Sequence, residues 1–142
     1  MHLNTDYILL SKANITPTSN RVLVLRLFLG NSNAFTLNAA AQELFFMEKS
    51  TIFRTLQVFE SKGILHSVVT DDGVKNYALC TVDCIKDNHA HRHAHLKCSI
   101  CEHLYCIPVT SLPVFESARR FQIDKVYMLA NGTCEECNRV AS

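Results

Sequence analysis

The chain has 142 residues with 14 basic and 13 acidic side chains, a formal net charge of +1, and is 48% hydrophobic. That hydrophobic share supports a packed core and excludes a disordered chain. The near-neutral balance counts mildly against nucleic-acid binding through average surface charge and leaves room for a local basic patch, which dimerisation would double.

The longest apolar run, Val22 to Gly30, is interrupted by Arg26 and falls well short of a membrane span. Met1-His2-Leu3-Asn4 lacks the basic segment and apolar stretch of a secretory signal. A cytoplasmic protein with no membrane partner is therefore expected.

The front half reads as four short helices. Thr5-Asp6 caps the first, which runs to about Ala13 with Ile8 and Leu9 on its apolar side. The polar stretch Thr16 to Asn20 opens a second, whose apolar positions include Val22, Leu25 and Leu29 before Gly30 stops it. Thr36 caps a third over Ala39 to Phe46. Ser50 opens the fourth, with Ile52, Leu56 and Phe59 spaced as one face and Gly63 at its end. The rhythm then changes to two β-prone runs, Ile64 to Thr70 and Val74 to Leu79, joined by the turn signal Asp71-Asp72-Gly73. Helices followed by a hairpin is the order of a winged helix-turn-helix, in which the helix before the hairpin enters the major groove.

Thr81 to Asn88 is short and polar, as a hinge would be. Strands are expected over His91 to Ile100 and Leu104 to Ile107, then a helix from about Pro113 to Phe121. Phe121 to Leu129 alternates as a third strand, and Asn131-Gly132 reads as a turn into the last cysteine pair. No internal repeat and no low-complexity tract is visible.

The seven cysteines and seven histidines are unevenly placed: no cysteine precedes Cys80, and five histidines lie from His89 to His103. In a reducing compartment such residues point to metal binding or redox chemistry rather than disulfides. Cys98-Ser99-Ile100-Cys101 and Cys134-Glu135-Glu136-Cys137 form two CxxC knuckles. Four thiolates suit a structural, tetrahedral Zn²⁺ and leave no open position for water. Two separate reducible pairs are the alternative, but neither pair sits in a thioredoxin-like βαβ context.

In His89-Ala90-His91-Arg92-His93-Ala94-His95 every histidine is at an odd position, so on a strand all four face one side. That row can converge on an ion, or it can be a solvated edge or a loose metal-scavenging tract. Cys80, Cys84 and Cys106 lie outside the knuckles and fit either ligands or small buried apolar residues. On the fourth helix Ser50, Thr51, Arg54 and Thr55 form a polar face opposite Ile52 and Leu56. That face suits phosphates or base edges, and equally an ordinary amphipathic helix.

Residues 50 to 65, Ser-Thr-Ile-Phe-Arg-Thr-Leu-Gln-Val-Phe-Glu-Ser-Lys-Gly-Ile-Leu, resemble the recognition-helix signature of the ferric uptake regulator superfamily, A-T-V-Y-R-x-L with an E-x-x-G-[IL]-[IL] ending. The histidine row running into Cys98-x-x-Cys101, then Gly132-x-Cys134-x-x-Cys137, is similar to that family's second half. The resemblance spans essentially the whole chain and implies an α+β protein. Its parts are an N-terminal winged helix-turn-helix DNA-binding domain (1–80), a hinge (81–88) and a C-terminal α/β metal-binding dimerisation domain (89–142) with a four-cysteine zinc site. It further implies a homodimer that represses transcription by binding palindromic operator DNA when its regulatory metal is loaded.

Residue by residue, Ser50, Thr51, Phe53 and Arg54 fall on the family's DNA-contacting helix, Arg54 at the phosphate-contacting arginine. Phe53 replaces a base-contacting tyrosine, losing the hydroxyl but keeping apolar contact with thymine methyls. Phe35 and Ala78 stand where the iron and peroxide sensors carry a histidine and a carboxylate. Tyr77-Ala78-Leu79-Cys80 instead resembles the zinc uptake regulator branch. There the regulatory ligands match His66, Cys80, His93 and His95, with His91 and Cys106 further candidates, Cys106 replacing the usual glutamate. Thiolate with imidazole suits Zn²⁺ better than a ferrous ion. Arg92, Ala94 and Val126 occupy positions of the family's third metal site, which is expected to be absent. An iron, nickel or peroxide sensor, or a zinc-ribbon interaction module without a DNA role, are the alternatives. A hydrolytic enzyme would need a carboxylate among the histidines, and there is none.

Overall fold

The structure, a computed structural model, describes residues 5–80, 93–109, 111, 116, 120–122 and 128–141. Helix α1 (Thr5–Lys12) buries Asp6 and Leu10, which lie on one face at an i, i+4 spacing. Ile8, expected inside, is exposed, and Leu9 only flanks the core. The register is set instead by Asp6, whose carboxylate accepts a 2.6 Å bond from Arg26 Nε. An acidic residue with that partner wins the interior position over Ile8. Helix α2 (Ser19–Leu29) is capped by Thr18, whose hydroxyl oxygen accepts from Arg21 N, and buries Val22, Val24, Leu25 and Phe28.

A two-residue strand, β1 (Phe35–Thr36), has no sequence signal long enough to show itself. Thr36 then caps α3 (Leu37–Glu43), accepting from Ala39 N at 3.0 Å. This helix begins two residues earlier than expected and ends three earlier, so Phe45 and Phe46 leave it and stand exposed. Helix α4 (Lys49–Ser61) has Glu48 rather than Ser50 at its N-cap and buries Ile52, Thr55, Leu56 and Phe59. Thr55 therefore belongs to the core stripe and not to the polar face. Its hydroxyl donates to Thr51 O at 2.9 Å, which satisfies it inside the helix. Gly63 ends the helix at φ +78°, and Ile64 N closes back on Phe59 O at 2.9 Å.

The hairpin strands β2 (Leu65–Val69) and β3 (Lys75–Leu79) pair antiparallel, with His66 opposite Ala78. With β1 on the outer side of β3 they form a three-stranded sheet in the order β1-β3-β2. Its turn carries Gly73 at φ +81°, with Gly73 N bonded to Thr70 O. Residues 5–79 thus make a winged helix, cored by Leu10, Leu25, Phe28, Ile52, Leu56 and Phe59.

The second sheet contains β4 (His93–Cys98), β5 (Leu104–Pro108) and β6 (Leu129–Gly132) in the order β5-β4-β6. Strands β4 and β5 are antiparallel, with His95 opposite Cys106, and β6 runs parallel to β4. The sequence pattern ends the third strand at Leu129; the structure begins β6 there, and Asn131-Gly132 lies within it, paired with Lys97 and Cys98. Parallel pairing to β4 overrides a dipeptide that favours turns in isolation. A final helix, α5 (Glu135–Ala141), follows where the sequence offers only the cysteine spacing. The expected hinge lies outside the described residues, as does most of the expected helix from Pro113.

A small second core of Ala34, Val68, Ala78 and Leu104 joins the winged helix to this sheet. Ala34 N donates to Leu104 O at 2.8 Å, and Asn33 bridges Tyr105, so the outer edge of β5 is covered by backbone pairing. Lys97 reaches Asp72 at 3.5 Å and Asp71 at 3.9 Å in the hairpin turn.

Candidate metal centres and nucleic-acid face

Among the described residues, two groups bring ligand atoms within 4.8 Å of one another: Cys98, Cys101, Cys134 and Cys137, and His66, His95 and Cys106. The two-residue period of strands places them on opposite faces of the C-terminal sheet. Leu96 lies opposite Tyr105, and this face carries Cys98. Lys97 lies opposite Leu104 and His95 opposite Cys106, and this face meets the winged helix.

The four cysteines are gathered by hydrogen bonds within the first knuckle and from it across to the end of β6 and the second knuckle. Glu102 N bonds Cys98 O, and Glu102 turns the chain at φ +63°. Ser99 N bonds Gly132 O, drawing the first knuckle onto the end of β6, and Cys134 N donates to Cys98 Sγ at 3.4 Å. Backbone N–H groups of Cys101 and Cys134 hold the Cys98 thiol down at about 6. The N–H of Cys137 lowers Cys134, while Cys137, sharing a proton with Cys134 in a dry setting, is pushed up to about 12. A pocket that favours thiolate at two of its sulfurs already carries part of the charge a divalent cation requires. Cys101 Sγ and Cys134 Sγ are 3.8 Å apart. A tetrahedron with Zn–S of about 2.3 Å has edges of about 3.8 Å, so the four sulfurs fit Zn²⁺.

The second group is built around His66 on β2. Its Nε2 lies 3.1 Å from His95 Nε2 and 3.6 Å from Cys106 Sγ, and its Nδ1 lies 3.5 Å from Cys80 Sγ. His66 and His95 are both buried, at 4% and 5% exposure, and Cys106 is half-buried. Tetrahedral zinc with bonds of about 2.0 Å to nitrogen and 2.3 Å to sulfur gives N–N and N–S edges of about 3.3–3.6 Å. The donors fit without large movement. One ligand comes from the hairpin and two from the C-terminal sheet, so an ion here spans the seam.

Of the other sequence-derived candidates, Cys80 sits on the far ring nitrogen of His66 and outside the tight group. His89, His91 and Cys84, with Arg92 and Val126, lie outside the described residues, and of His93 only the backbone, opposite Pro108, is described. Phe35 and Ala78 are buried apolar contacts. Ser50, Phe53 and Arg54 are exposed on α4 and Thr51 is half-buried, giving a face of hydroxyls, one ring and one guanidinium. Sequence reasoning missed Tyr105, whose hydroxyl lies 3.8 Å from Cys101 Sγ and 3.5 Å from His103 Nδ1. Burial and the neighbouring Cys134 and Cys101 hold this phenol well above its ordinary value, so it stays protonated. Strand parity was the one available signal, since it puts Tyr105 on the face opposite Cys106.

Solved structures share this architecture. A zinc uptake regulator complexed with zinc and DNA matches with a TM-score of 0.65 at 19% identity, over 98% of this chain and 94% of that one. The Vibrio cholerae ferric uptake regulator matches at 0.59 and 18%, over 88% and 96%. The Helicobacter pylori ferric uptake regulator, described as having three functional metal-binding sites, matches at 0.57 and 13%, over 96% and 91%. At such identities the likeness establishes the fold. No curated protein sequence matches significantly. The model of the ferric uptake regulator family matches residues 12–112, and the chain belongs to that family, one of metal-responsive transcription regulators.

Proposed function

We propose that this protein is a zinc-responsive, homodimeric transcriptional repressor of the cytoplasm that binds palindromic operator DNA. The observation that carries the reading is the His66, His95 and Cys106 group at the seam between the winged helix and the C-terminal sheet. Cys98, Cys101, Cys134 and Cys137 are assigned a structural zinc. His66, His95 and Cys106, with Cys80 and the histidine row at His91 and His93, are assigned the regulatory metal. The imidazole and thiolate donor set favours Zn²⁺, and a zinc uptake regulator bound to zinc and DNA shares the fold.

When bound, Zn²⁺ supplies a rigid cross-link between donors of the two units. His66 is carried by the hairpin that follows α4, so fixing His66 against His95 fixes the angle of α4 to the C-terminal unit. In a dimer formed by residues 89–142, with 1–80 as DNA-binding domain and 81–88 as hinge, that angle sets the separation of two recognition helices. Half-sites one helical turn apart are then met together. Ser50, Thr51, Phe53 and Arg54 make the DNA contacts, Arg54 to phosphate and Phe53 to base edges.

The test is a mobility-shift titration against DNA upstream of zinc-transport genes, with free Zn²⁺ buffered and Fe²⁺ and Ni²⁺ in parallel. Activation by zinc at the lowest free concentration supports the reading. Activation by ferrous iron or nickel with zinc inert moves the protein to another branch of the family. Failure to bind any such DNA with every metal overturns it.

A further inference from the structure

We infer that Tyr105 is a positioning residue of the four-cysteine centre, its phenol donating a hydrogen bond to the metal-bound thiolates. This rests on the assignment of a metal to those cysteines. The geometry is specific: Tyr105 Oη lies 3.8 Å from Cys101 Sγ, interacts also with Cys134, and faces His103 Nδ1 at 3.5 Å on its other side. The two rings stand edge to face, 6.3 Å between centroids at 72°.

The chemistry fixes the direction of these bonds. A cysteine bound to a metal is a thiolate with no proton to give, and a phenol is protonated at neutral pH. The only hydrogen on that path belongs to Tyr105, so the phenol donates to sulfur. Its oxygen can then accept, and His103 donates to it from Nδ1. The result is a relay from His103 through Tyr105 to the thiolate pair. Each hydrogen bond drains charge from sulfur, which lowers its nucleophilicity and slows its protonation and departure from the metal. Cys98 has backbone N–H donors for the same purpose and Cys134 has the N–H of Cys137, while Tyr105 adds a side-chain donor beside Cys101.

The strand that carries the ring is paired on both sides. Leu96 on β4 pairs with Tyr105 on one side, and Asn33 bridges it on the other. Strand β5 is therefore fixed at both edges, which sets the point and direction from which the Tyr105 side chain leaves the backbone.

The experiment compares the wild-type dimer with Tyr105→Phe, which keeps the ring and removes one oxygen, and with His103→Ala at an exposed position. Co²⁺ is loaded at the four-cysteine centre and the sulfur-to-cobalt charge-transfer band recorded; in parallel, release of the native zinc to a chromophoric chelator is timed. Tyr105→Phe should shift the band to lower energy and speed zinc release by about 10–100-fold, the range seen when partners of metal ligands are removed. His103→Ala should give a smaller change in the same direction. A hole in the packing would not move the charge-transfer band, so the spectrum separates hydrogen bonding from mere support. Identical spectra and release rates in Tyr105→Phe and wild type overturn the inference. If Cys101→Ser holds as much zinc as wild type, the underlying assignment fails as well, and that control tells the two failures apart.

Discussion

Replacing His66 with alanine removes a side chain that touches three of the assigned donors. Its Nε2 meets His95 and Cys106 at 3.1 and 3.6 Å, and its Nδ1 meets Cys80 at 3.5 Å. Four-ligand zinc sites are worth about 10–16 kcal/mol, so one ligand contributes on the order of 3 kcal/mol, or roughly two decades in affinity. Driving a two-state seam from 1:99 to 99:1 needs about 5.5 kcal/mol. Removing about 3 of these leaves the His66→Ala seam near even odds at saturating zinc. In a dimer whose two α4 helices must both be placed, the fully competent fraction is lower still. The expected result is that half-maximal DNA binding moves to about 100-fold higher free zinc and the plateau falls several-fold, while the four-cysteine zinc is retained. Zinc-buffered fluorescence anisotropy with labelled operator, alongside native mass spectrometry, measures both. An unchanged zinc midpoint would show that the metal response runs through other residues and would refute the seam mechanism.

Cys101→Ser should release the structural zinc and dissociate or unfold the protein; a zinc-replete dimer by native mass spectrometry would exclude that role. Arg54→Ala should weaken binding to all DNA alike and, because each protomer gives up one phosphate interaction, lower the salt slope by about two. Phe53→Ala should erode discrimination between operator and scrambled DNA with the slope nearly unchanged, read by the same titrations. Arg26 holds the Asp6 carboxyl below its ordinary range. Its stabilisation is therefore fully present above the unfolded-state value of about 3.9 and disappears as pH falls through the lower folded value. Asp6→Asn should lower stability at neutral pH and flatten the acid limb of a denaturation series, and parallel pH profiles for the two proteins would dismiss the pair as a contributor.

What the sequence reveals depends on how local the cause is. Ile52, Leu56 and Phe59 declare α4 because helical spacing is written in neighbouring residues, and Gly73 and Gly63 mark turns that require positive φ. Thr36 announces its helix as a cap. The end of α3 is different: Phe45 and Phe46 extend an apolar pattern that the fold leaves in solvent. Asp6 reads as a helix start and is a buried partner of a residue twenty positions away. Asn131-Gly132 has strong turn propensity, yet parallel pairing with β4 makes it strand. For the metal centres, the four cysteines were legible from spacing alone. Cys106 stood out only as a cysteine outside the knuckles and His66 was suggested by family resemblance, since no local pattern relates a hairpin residue to one forty positions on. Tyr105 had only strand parity to mark it, which places it on the face opposite Cys106.

The placement of the two centres follows from a single parity. Because alternate residues of β4 and β5 face opposite ways, Cys98 and Tyr105 point to one side of the sheet and His95 and Cys106 to the other. One side carries the cysteine knuckles, whose hydrogen bonds tie β4, β6 and the second knuckle together within the C-terminal unit. The other side is a seam of two alanines, one valine and one leucine. Burying a valine or leucine is worth about 1.5–3 kcal/mol each and an alanine methyl less. Against this, taking an imidazole or a thiol out of water costs about 1–3 kcal/mol that neutral hydrogen bonds only partly offset. His66 and His95 are both buried at this seam and bonded to each other, with two thiols beside them. The apolar gain and the polar cost are of similar size, so the seam is near balance on its own side chains. On the proposed reading, a joint in that condition is the one a cation can tip by taking up its donors, while the opposite face carries the four-cysteine group. The proposed function thus sets the structural group on one surface of the sheet and the regulatory group on the other, and a one-residue slip of β5 against β4 would exchange Tyr105 for Cys106 and disrupt both.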